Sequence, residues 1–226
     1  KTGKPSFVVN PPDTDELCDL ARMTGIKGVY RNAPLHALNL KETAIRHAAK
    51  LGRPYDECNF IVCHIGGGIS ISAHLKGKMV DGNDIVGGEG PMAPTRCGSV
   101  PAIEIAKYTA EHGLDVARAH CMKTGGFVDL LGTSDAIEVC DRAAAGDKAA
   151  ARAWDAMVYQ ICKWIGEMAC VLKGDVDGIL LGGGMVHSKE LVASIEECCS
   201  SIAPVSAYPG EFELEAMASG ACRVLD

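Results

Sequence analysis

Apolar side chains recur along the chain at two spacings, and each spacing predicts one type of element. A spacing of three to four residues predicts helices over residues 13–24, 36–51, 101–112, 135–145, 148–173, 188–199 and 212–224. Short apolar runs and strict alternation predict strands over residues 6–9, 60–64, 69–75, 78–81, 176–181 and 204–208. Asp13 and Glu16 have the spacing of a capping box and are predicted to open the first helix.

The order of these elements indicates an α/β fold. Three successive strands joined by glycine-containing turns predict an antiparallel meander, and helices that alternate with strands follow it. The prediction is therefore a mixed sheet. Its arrangement is similar to the ribonuclease H-like domain of actin-like ATPases, a likeness of fold that assigns no function by itself.

Composition and charge exclude several functional classes. The chain has 226 residues, with 22 Lys+Arg, 29 Asp+Glu and a net charge of −7, which opposes nonspecific nucleic-acid binding. No apolar run approaches the ~18–20 residues of a membrane span, and residues 1–5 lack the apolar core of a signal peptide. The 11 cysteines are scattered and form no C-x-x-C pair. They predict reduced thiols in a cytoplasmic protein without a structural zinc site.

Two glycine-rich turns are candidates for phosphate binding. His64 precedes the glycines at 66–68, where backbone N–H groups can converge on an anion and the histidine can donate to it. A tight hairpin with a capped histidine is the alternative. The glycines at 182–184 follow a buried strand and precede a helix, which suits a nucleotide. An ordinary turn of an α/β sheet is the alternative there.

Charged and histidine side chains supply further candidates. Arg96 lies in a loop stiffened by glycine and proline, a placement that suits a clamp on a transferring phosphoryl group. A surface salt bridge is the alternative for Arg96 and for Glu89 of the same loop. His36 opens a predicted helix, where it can bind an anion or simply cap the helix. Asp15, considered by itself, is expected to serve the start of the first helix.

Five strings occur in an order that resembles the acetate and butyrate kinase family, the acetokinases of the ASKHA phosphotransferases. They are Ala-Pro-Leu-His-Ala-Leu-Asn at 33–39, His-Ile-Gly-Gly-Gly-Ile-Ser at 64–70, Gly-Glu-Gly-Pro-Met-Ala-Pro-Thr-Arg-Cys-Gly at 88–98, Leu-Gly-Thr-Ser-Asp at 131–135, and Ala-Pro at 203–204 with Tyr-Pro-Gly-Glu at 208–211. The strings extend over nearly the whole chain. The Gly-Glu-Gly-Pro string is typical of the butyrate branch of the family.

The resemblance implies reversible transfer of the γ-phosphoryl group of Mg-ATP to a short-chain carboxylate, which gives an acyl phosphate and ADP. It implies a role for each matching residue: His36, Arg96 and, on a weaker match, Asp15 in catalysis; His64, Gly66, Gly67 and Gly68 as a phosphate loop; Asp135, Gly182, Gly183 and Gly184 at the adenosine; Glu213, or its neighbours Glu211 and Glu215, near Mg2+. It also implies a homo-oligomer, with neither a nucleic acid nor a membrane as partner.

The sequence departs from the family pattern at two points. The Asn-rich, Gly-Ser-Thr phosphate loop of the family's first strand is absent, so we expect residues 1–52 to be a remnant of an N-terminal lobe with a crossover helix, and residues 53–226 to be a C-terminal ribonuclease H-like lobe. We accordingly expect the isolated chain to be weakly active or inactive. Ile137 stands where the acetate branch has an arginine, so the adenine contacts are expected to differ.

Other functions remain open at this point. One is a kinase for acetate, propionate or a branched-chain acid, because one methylene changes binding by only ~1–3 kcal/mol. Another is a nonenzymatic nucleotide-binding or dimerisation lobe. A NAD enzyme is disfavoured, because a hairpin and not a helix follows the first glycine turn.

Overall fold

A mixed five-stranded sheet organises the computed structural model, which describes residue 3 and residues 6–32 and 34–225. The strands are β1 (Asn59–Ile65), β2 (Ile69–Leu75), β3 (Lys78–Gly82), β4 (Gly178–Gly183) and β5 (Val205–Pro209), in the order β3-β2-β1-β4-β5. β1 and β2, and β2 and β3, pair antiparallel, whereas β1 and β4, and β4 and β5, pair parallel. The predicted meander and mixed sheet are confirmed.

Nine α-helices lie within the described residues. They are α1 (Asp19–Arg22), α2 (Ala37–Lys50), α3 (Ala102–His112), α4 (Leu114–Ala119), α5 (Phe127–Leu131), α6 (Ala136–Ala144), α7 (Lys148–Val171), α8 (Lys189–Cys199) and α9 (Glu213–Leu225). The side chains of Asp135 and Ser188 accept hydrogen bonds from backbone N–H groups at the starts of α6 and α8, as the sequence predicts. None of the described helices is long and apolar enough to cross a membrane.

Helices cover both faces of the sheet. One face packs against α7 and its neighbours, and Ile161 and Ile165 of α7 are completely buried there. The other face packs against α2, where Leu40 and Ala44 cover Phe60 of β1. Because both faces are covered, β1 is buried along its whole length. The helix that covers the second face also carries His36 at its start.

The structure corrects two predictions near the N-terminus. Residues 6–9 form no strand and pair with none of the described strands; Val8 is 83% exposed, and Val9 lies against Gly220 of α9. The predicted helix over 13–24 is reduced to α1. Its proposed capping box does not form, because the carboxylate of Glu16 accepts from the ammonium of Lys41 and from the backbone N–H of Met79.

The central loop region contains more helix than the spacing predicts, since α4 and α5 have no counterpart among the predicted elements. A π-helical turn over His120–Thr124 separates these two helices. The division into lobes at residue 52 stays a prediction. Residues 1, 2, 4 and 5, Ala33 of the 33–39 string and Asp226 lie outside the described residues.

Candidate active site

The candidate site lies at the carboxyl end of β1, the central strand of the sheet. The start of α2 and the loop before α3 meet β1 there. His36 is the residue that precedes α2, and His64 is the last residue but one of β1. Packing of α2 on the sheet brings their rings into a stack, with centroids 4.1 Å apart and planes inclined by 26°. Two histidines separated by 28 positions in the sequence therefore form one surface.

Ser70 at the start of β2 orients the first of these rings. Its Oγ accepts a hydrogen bond from the backbone N–H of His36 at 3.2 Å, and lies 2.8 Å from His36 Nδ1. When the hydroxyl donates its proton to Nδ1, the imidazole proton lies on Nε2. This tautomer leaves the Nε2–H of His36 as a hydrogen-bond donor.

Both stacked histidines are neutral near pH 7. Burial, followed by the nearby His64 and Arg96, lowers the pKa of His36 to about 3. Burial, followed by the charge of Arg96, lowers the pKa of His64 to about 4. A neutral imidazole has one donor nitrogen and one acceptor nitrogen. The fixed positive charge of this cluster is therefore that of Arg96.

The guanidinium of Arg96 lies directly over Gly68, where any side chain would overlap it. Its Nε donates to the carbonyl of Met122 at 3.4 Å, while one terminal nitrogen is buried and has no partner among the described residues. The neighbouring Thr95 fixes the loop, because its backbone N–H and hydroxyl both donate to the carbonyl of Gly67, at 3.1 and 2.7 Å. The loop and the glycine turn thus form one unit.

This unit has the properties of an anion cradle. A buried cationic nitrogen without a partner is energetically costly, and an anionic oxygen is the group that would satisfy it. The His36 Nε2–H adds a neutral donor, and Gly67, with no heavy atom near its absent side chain, leaves the turn accessible. Such a set of donors can stabilise charge on the oxygens of a phosphoryl group.

A second cleft, of about 360 Å3, lies between α6 and the residues that follow β4. Asp135, Ile137, Trp154 and Gly184 are among its lining residues, so the structure brings two of the predicted adenosine contacts together. Asp135 already accepts from the N–H groups of Ile137 and Glu138 as the cap of α6. The cleft is largely apolar in its lining, which suits the flat ring of a nucleobase.

The glycines after β4 have different surroundings. Gly182 and Gly183 are buried at the end of the strand, while Gly184 opens on the cleft. Gly183 has a φ of +99°, and a side chain there would overlap the backbone of Ile65. This close approach holds the end of β4 beside the end of β1, and so holds the second cleft near the stacked histidines.

Two predicted site residues are not joined to this cluster by any contact among the described residues. Asp15 forms an ion pair with Arg22 through both of its carboxylate oxygens, and also accepts from the N–H of Leu17. Glu213, the first residue of α9, is exposed. Its neighbour Glu211 lies closer to the site, with Oε1 3.7 Å from Nε2 of His64. The catalytic and metal roles of these carboxylates stay predictions.

Sequence reasoning did not single out Ser70 or Asn83 as positioning residues. Asn83 accepts from the N–H of Ile71 and donates to the carbonyl of Ile69, and so supports the start of β2. The signal available for both was a polar side chain within or directly after a strand, which the structure buries completely.

Sequence comparison connects the chain with a known family. The family model described as the acetokinase family matches residues 23–202. Proteins named "Probable butyrate kinase" from Clostridium botulinum (strain Alaska E43 / Type E3) and Enterococcus faecalis (strain ATCC 700802 / V583) are 45% and 44% identical to it. The matches cover 98% of this chain in both cases, and 63% and 62% of the relatives. The chain thus spans less than two thirds of their length.

Solved structures with the same fold include two kinases. Acetate kinase from Porphyromonas gingivalis superposes with a TM-score of 0.80 at 23% identity, over 93% of this chain and 61% of that one. A propionate kinase from Francisella tularensis subsp. tularensis SCHU S4 gives 0.76 at 18% identity, over 89% and 60% of the two chains. At these identities the likeness establishes the fold.

Proposed function

The chain belongs to the acetokinase family, and we propose that it carries the phosphoryl-binding and nucleotide-binding lobe of a butyrate kinase. In this reaction the carboxylate oxygen of butyrate attacks the γ-phosphorus of ATP, the bond to the β,γ-bridging oxygen breaks, and butyryl phosphate and ADP form. The observation that carries the proposal is the convergence of Arg96, with a buried unpartnered nitrogen, on two stacked neutral histidines and a glycine turn.

The proposed mechanism uses donors and positioning without a covalent intermediate. Arg96 donates to the equatorial oxygens of the transferring group, where negative charge is concentrated in the transition state. The Nε2–H of His36, oriented by Ser70, donates to the same group. Because burial keeps both histidines neutral, neither one adds a positive charge that would hold the product too tightly. The apolar cleft beside Gly184 binds the nucleobase.

Mg2+ fits this site through the carboxylate of Glu211. Mg2+ is typically held by one or two carboxylates and by the phosphates of the substrate, and Glu211 is half-exposed beside His64. When bound, Mg2+ would neutralise negative charge on the phosphates of the nucleotide. We therefore assign the metal role to Glu211 in preference to Glu213, and we retain Asp15 as a catalytic candidate on the family pattern alone.

We place the protein in the cytoplasm and expect it to self-associate. The cysteines of the described residues are all free thiols, which suits a reducing compartment. Apolar side chains are exposed on α3 and at the start of α4, where Ile103 is 67% and Leu114 is 62% exposed. Such a surface favours contact between two copies. The net charge of −7 gives no support to a nucleic-acid partner.

The test is acyl phosphate formation by the purified chain, trapped as the hydroxamate, with Mg-ATP and acetate, propionate, butyrate or isobutyrate. Arg96→Ala removes the proposed clamp, and Arg118→Ala removes an exposed arginine of α4 as the matched control. A signal that is greatest for butyrate and is lost only in Arg96→Ala supports the proposal. A maximum at another acid would overturn the assignment of butyrate but not that of an acyl kinase.

A second measurement covers the case in which no acyl phosphate forms. Mg-ATP should then still raise the unfolding temperature of the wild-type chain and of Arg118→Ala, but raise that of Arg96→Ala much less, because Arg96 contacts the γ-phosphoryl group. This result would support a nucleotide-binding lobe without turnover. Absence of both activity and nucleotide-dependent stabilisation would overturn the proposed function.

A further inference from the structure

Three cysteines lie close together where α7 packs against α8. Cys162 lies in the middle of α7, and Cys198 and Cys199 end α8. Their sulfur atoms all lie within 4.8 Å of one another. The packing of α7 on α8 fixes this arrangement, because the buried residues Ile161 and Ile195 belong to the same apolar core.

The separation of the sulfur atoms is that of ligands which share one cation. A zinc ion bonds each sulfur at ~2.3 Å, so two sulfurs on the same ion lie at most ~4.6 Å apart, and less in a tetrahedron. Cys198 is exposed, so its side chain has room to rotate toward the other two sulfurs. The cluster contains neither a carboxylate nor an imidazole. It therefore favours a thiophilic cation over Mg2+ or Ca2+.

An open cleft supplies space for a fourth ligand. A depression of about 240 Å3 borders Cys162 and Cys198 and is also lined by Asp155, Tyr159 and Ser194. A tetrahedral ion held by three sulfurs could complete its coordination there with water. Cys199 is buried on the opposite side, against the core. One side of the cluster thus contacts the apolar core, and the other side is open to solvent.

We propose that Cys162, Cys198 and Cys199 form a binding site for one Zn2+ ion, which clamps the end of α8 to the middle of α7. Each thiol releases its proton to solvent as its sulfur binds, and no group is oxidised or reduced. The proposal departs from the sequence-based expectation, drawn from the lack of a C-x-x-C pair, that the chain has no structural zinc site. Two adjacent cysteines and one from another helix provide the ligands instead.

The site lies apart from the phosphoryl cradle but shares a helix with the nucleotide cleft. Trp154 of α7 lines both the cleft beside Asp135 and the depression beside Cys162. Fixing α8 against α7 would therefore hold one wall of the nucleotide cleft in place.

The test uses Co2+ as a spectroscopic probe, added to the reduced, metal-free chain, and Zn2+ as the competitor. One equivalent of Co2+ should produce a sulfur-to-cobalt charge-transfer band, and Zn2+ should abolish it. Cys198→Ser removes an exposed ligand and should weaken Co2+ binding by about 100-fold or more. Cys170→Ser, at an exposed cysteine of α7, should leave binding unchanged.

Unfolding of each variant without metal checks that it folds, and the Zn2+-dependent rise in unfolding temperature provides a second readout. That rise should be present in Cys170→Ser and absent from Cys198→Ser and Cys162→Ser. Equal Co2+ binding by Cys198→Ser and Cys170→Ser would overturn the proposal. A second result would also overturn the proposal: the reduced chain takes up no metal and, after exposure to air, loses the mass of two hydrogens at Cys162 and either partner.

Discussion

Acid should destabilise this chain steeply through three buried histidines. His74 is completely buried in β2, between the hydroxyl groups of Tyr55 and Ser72 at 2.7 and 2.8 Å. Burial, and then the charge of Lys41, lowers its pKa to about 3. With His36 at about 3 and His64 at about 4, three histidines stay neutral in the folded chain well below their ordinary pKa of about 6.5.

The sign of the effect follows from proton binding. Between pH 6.5 and about 4 the unfolded chain binds protons at these three rings and the folded chain does not. The free energy of unfolding therefore rises with pH in this window and falls on acidification. Each ring contributes about 1.4 kcal/mol per pH unit once the unfolded form is fully protonated, so the three together contribute about 4 kcal/mol per pH unit near pH 5.

A domain stable by about 5–15 kcal/mol would lose that stability within a few pH units. Urea unfolding, followed by circular dichroism between pH 7 and pH 4.5, gives the free energy of unfolding at each pH. His74→Gln removes one of the three titrating rings and should lower the slope by about 1.4 kcal/mol per pH unit, whatever its effect on absolute stability. His112→Gln, at an exposed position of α3, is the matched control.

Two results would refute this reasoning. One is a free energy of unfolding that stays constant from pH 6.5 to pH 4.5. The other is a slope for His74→Gln equal to that of His112→Gln, because the buried ring would then exchange protons in the folded chain as freely as in the unfolded chain.

Two further substitutions, each with a matched control, test the placement of Arg96 and the Mg2+ site. Gly68→Ala should displace the guanidinium of Arg96, because the new methyl group would overlap it, and should lower acyl phosphate formation by about 100-fold. Gly166→Ala in α7, where the new methyl group meets no heavy atom within 4 Å, should leave the rate unchanged; equal losses in the two variants would argue against the placement of Arg96. Glu211→Gln should raise by about tenfold the Mg2+ concentration that gives half-maximal stabilisation by ADP. Glu213→Gln should not, and the reverse ranking would assign the metal to Glu213.

The sheet and the long helices could be predicted from the sequence because their signals are local. Glycine turns mark the ends of β1, β2 and β4, and the apolar stripe of α7 continues for six turns. The segment before α2 could not be predicted in this way. Glu16 looks like a helix cap, but its partners are Lys41 and Met79, which lie 25 and 63 residues further along the chain.

The candidate site shows the same limit. The strings around His36, His64 and Arg96 identify these residues as candidates, but the stack of the two rings depends on how α2 docks on the sheet. Alternation in β2 indicates a strand with one polar face, which is typical of a face in contact with solvent. α2 covers that face instead, so Ser70 is buried and orients a histidine.

Two arginines of this chain show how a structural guanidinium differs from one prepared for a ligand. Arg31 uses all three of its nitrogens in five hydrogen bonds, with the carboxylates of Glu89 and Asp81 and with the carbonyls of Ala21 and Gly82. Arg96 makes one long bond and leaves a buried nitrogen unpartnered among the described residues. An unsatisfied buried donor costs about 1–3 kcal/mol or more. A phosphoryl oxygen that accepts from this nitrogen would recover that free energy on binding. The unpartnered nitrogen therefore lowers the stability of the free chain and favours binding of the charged ligand.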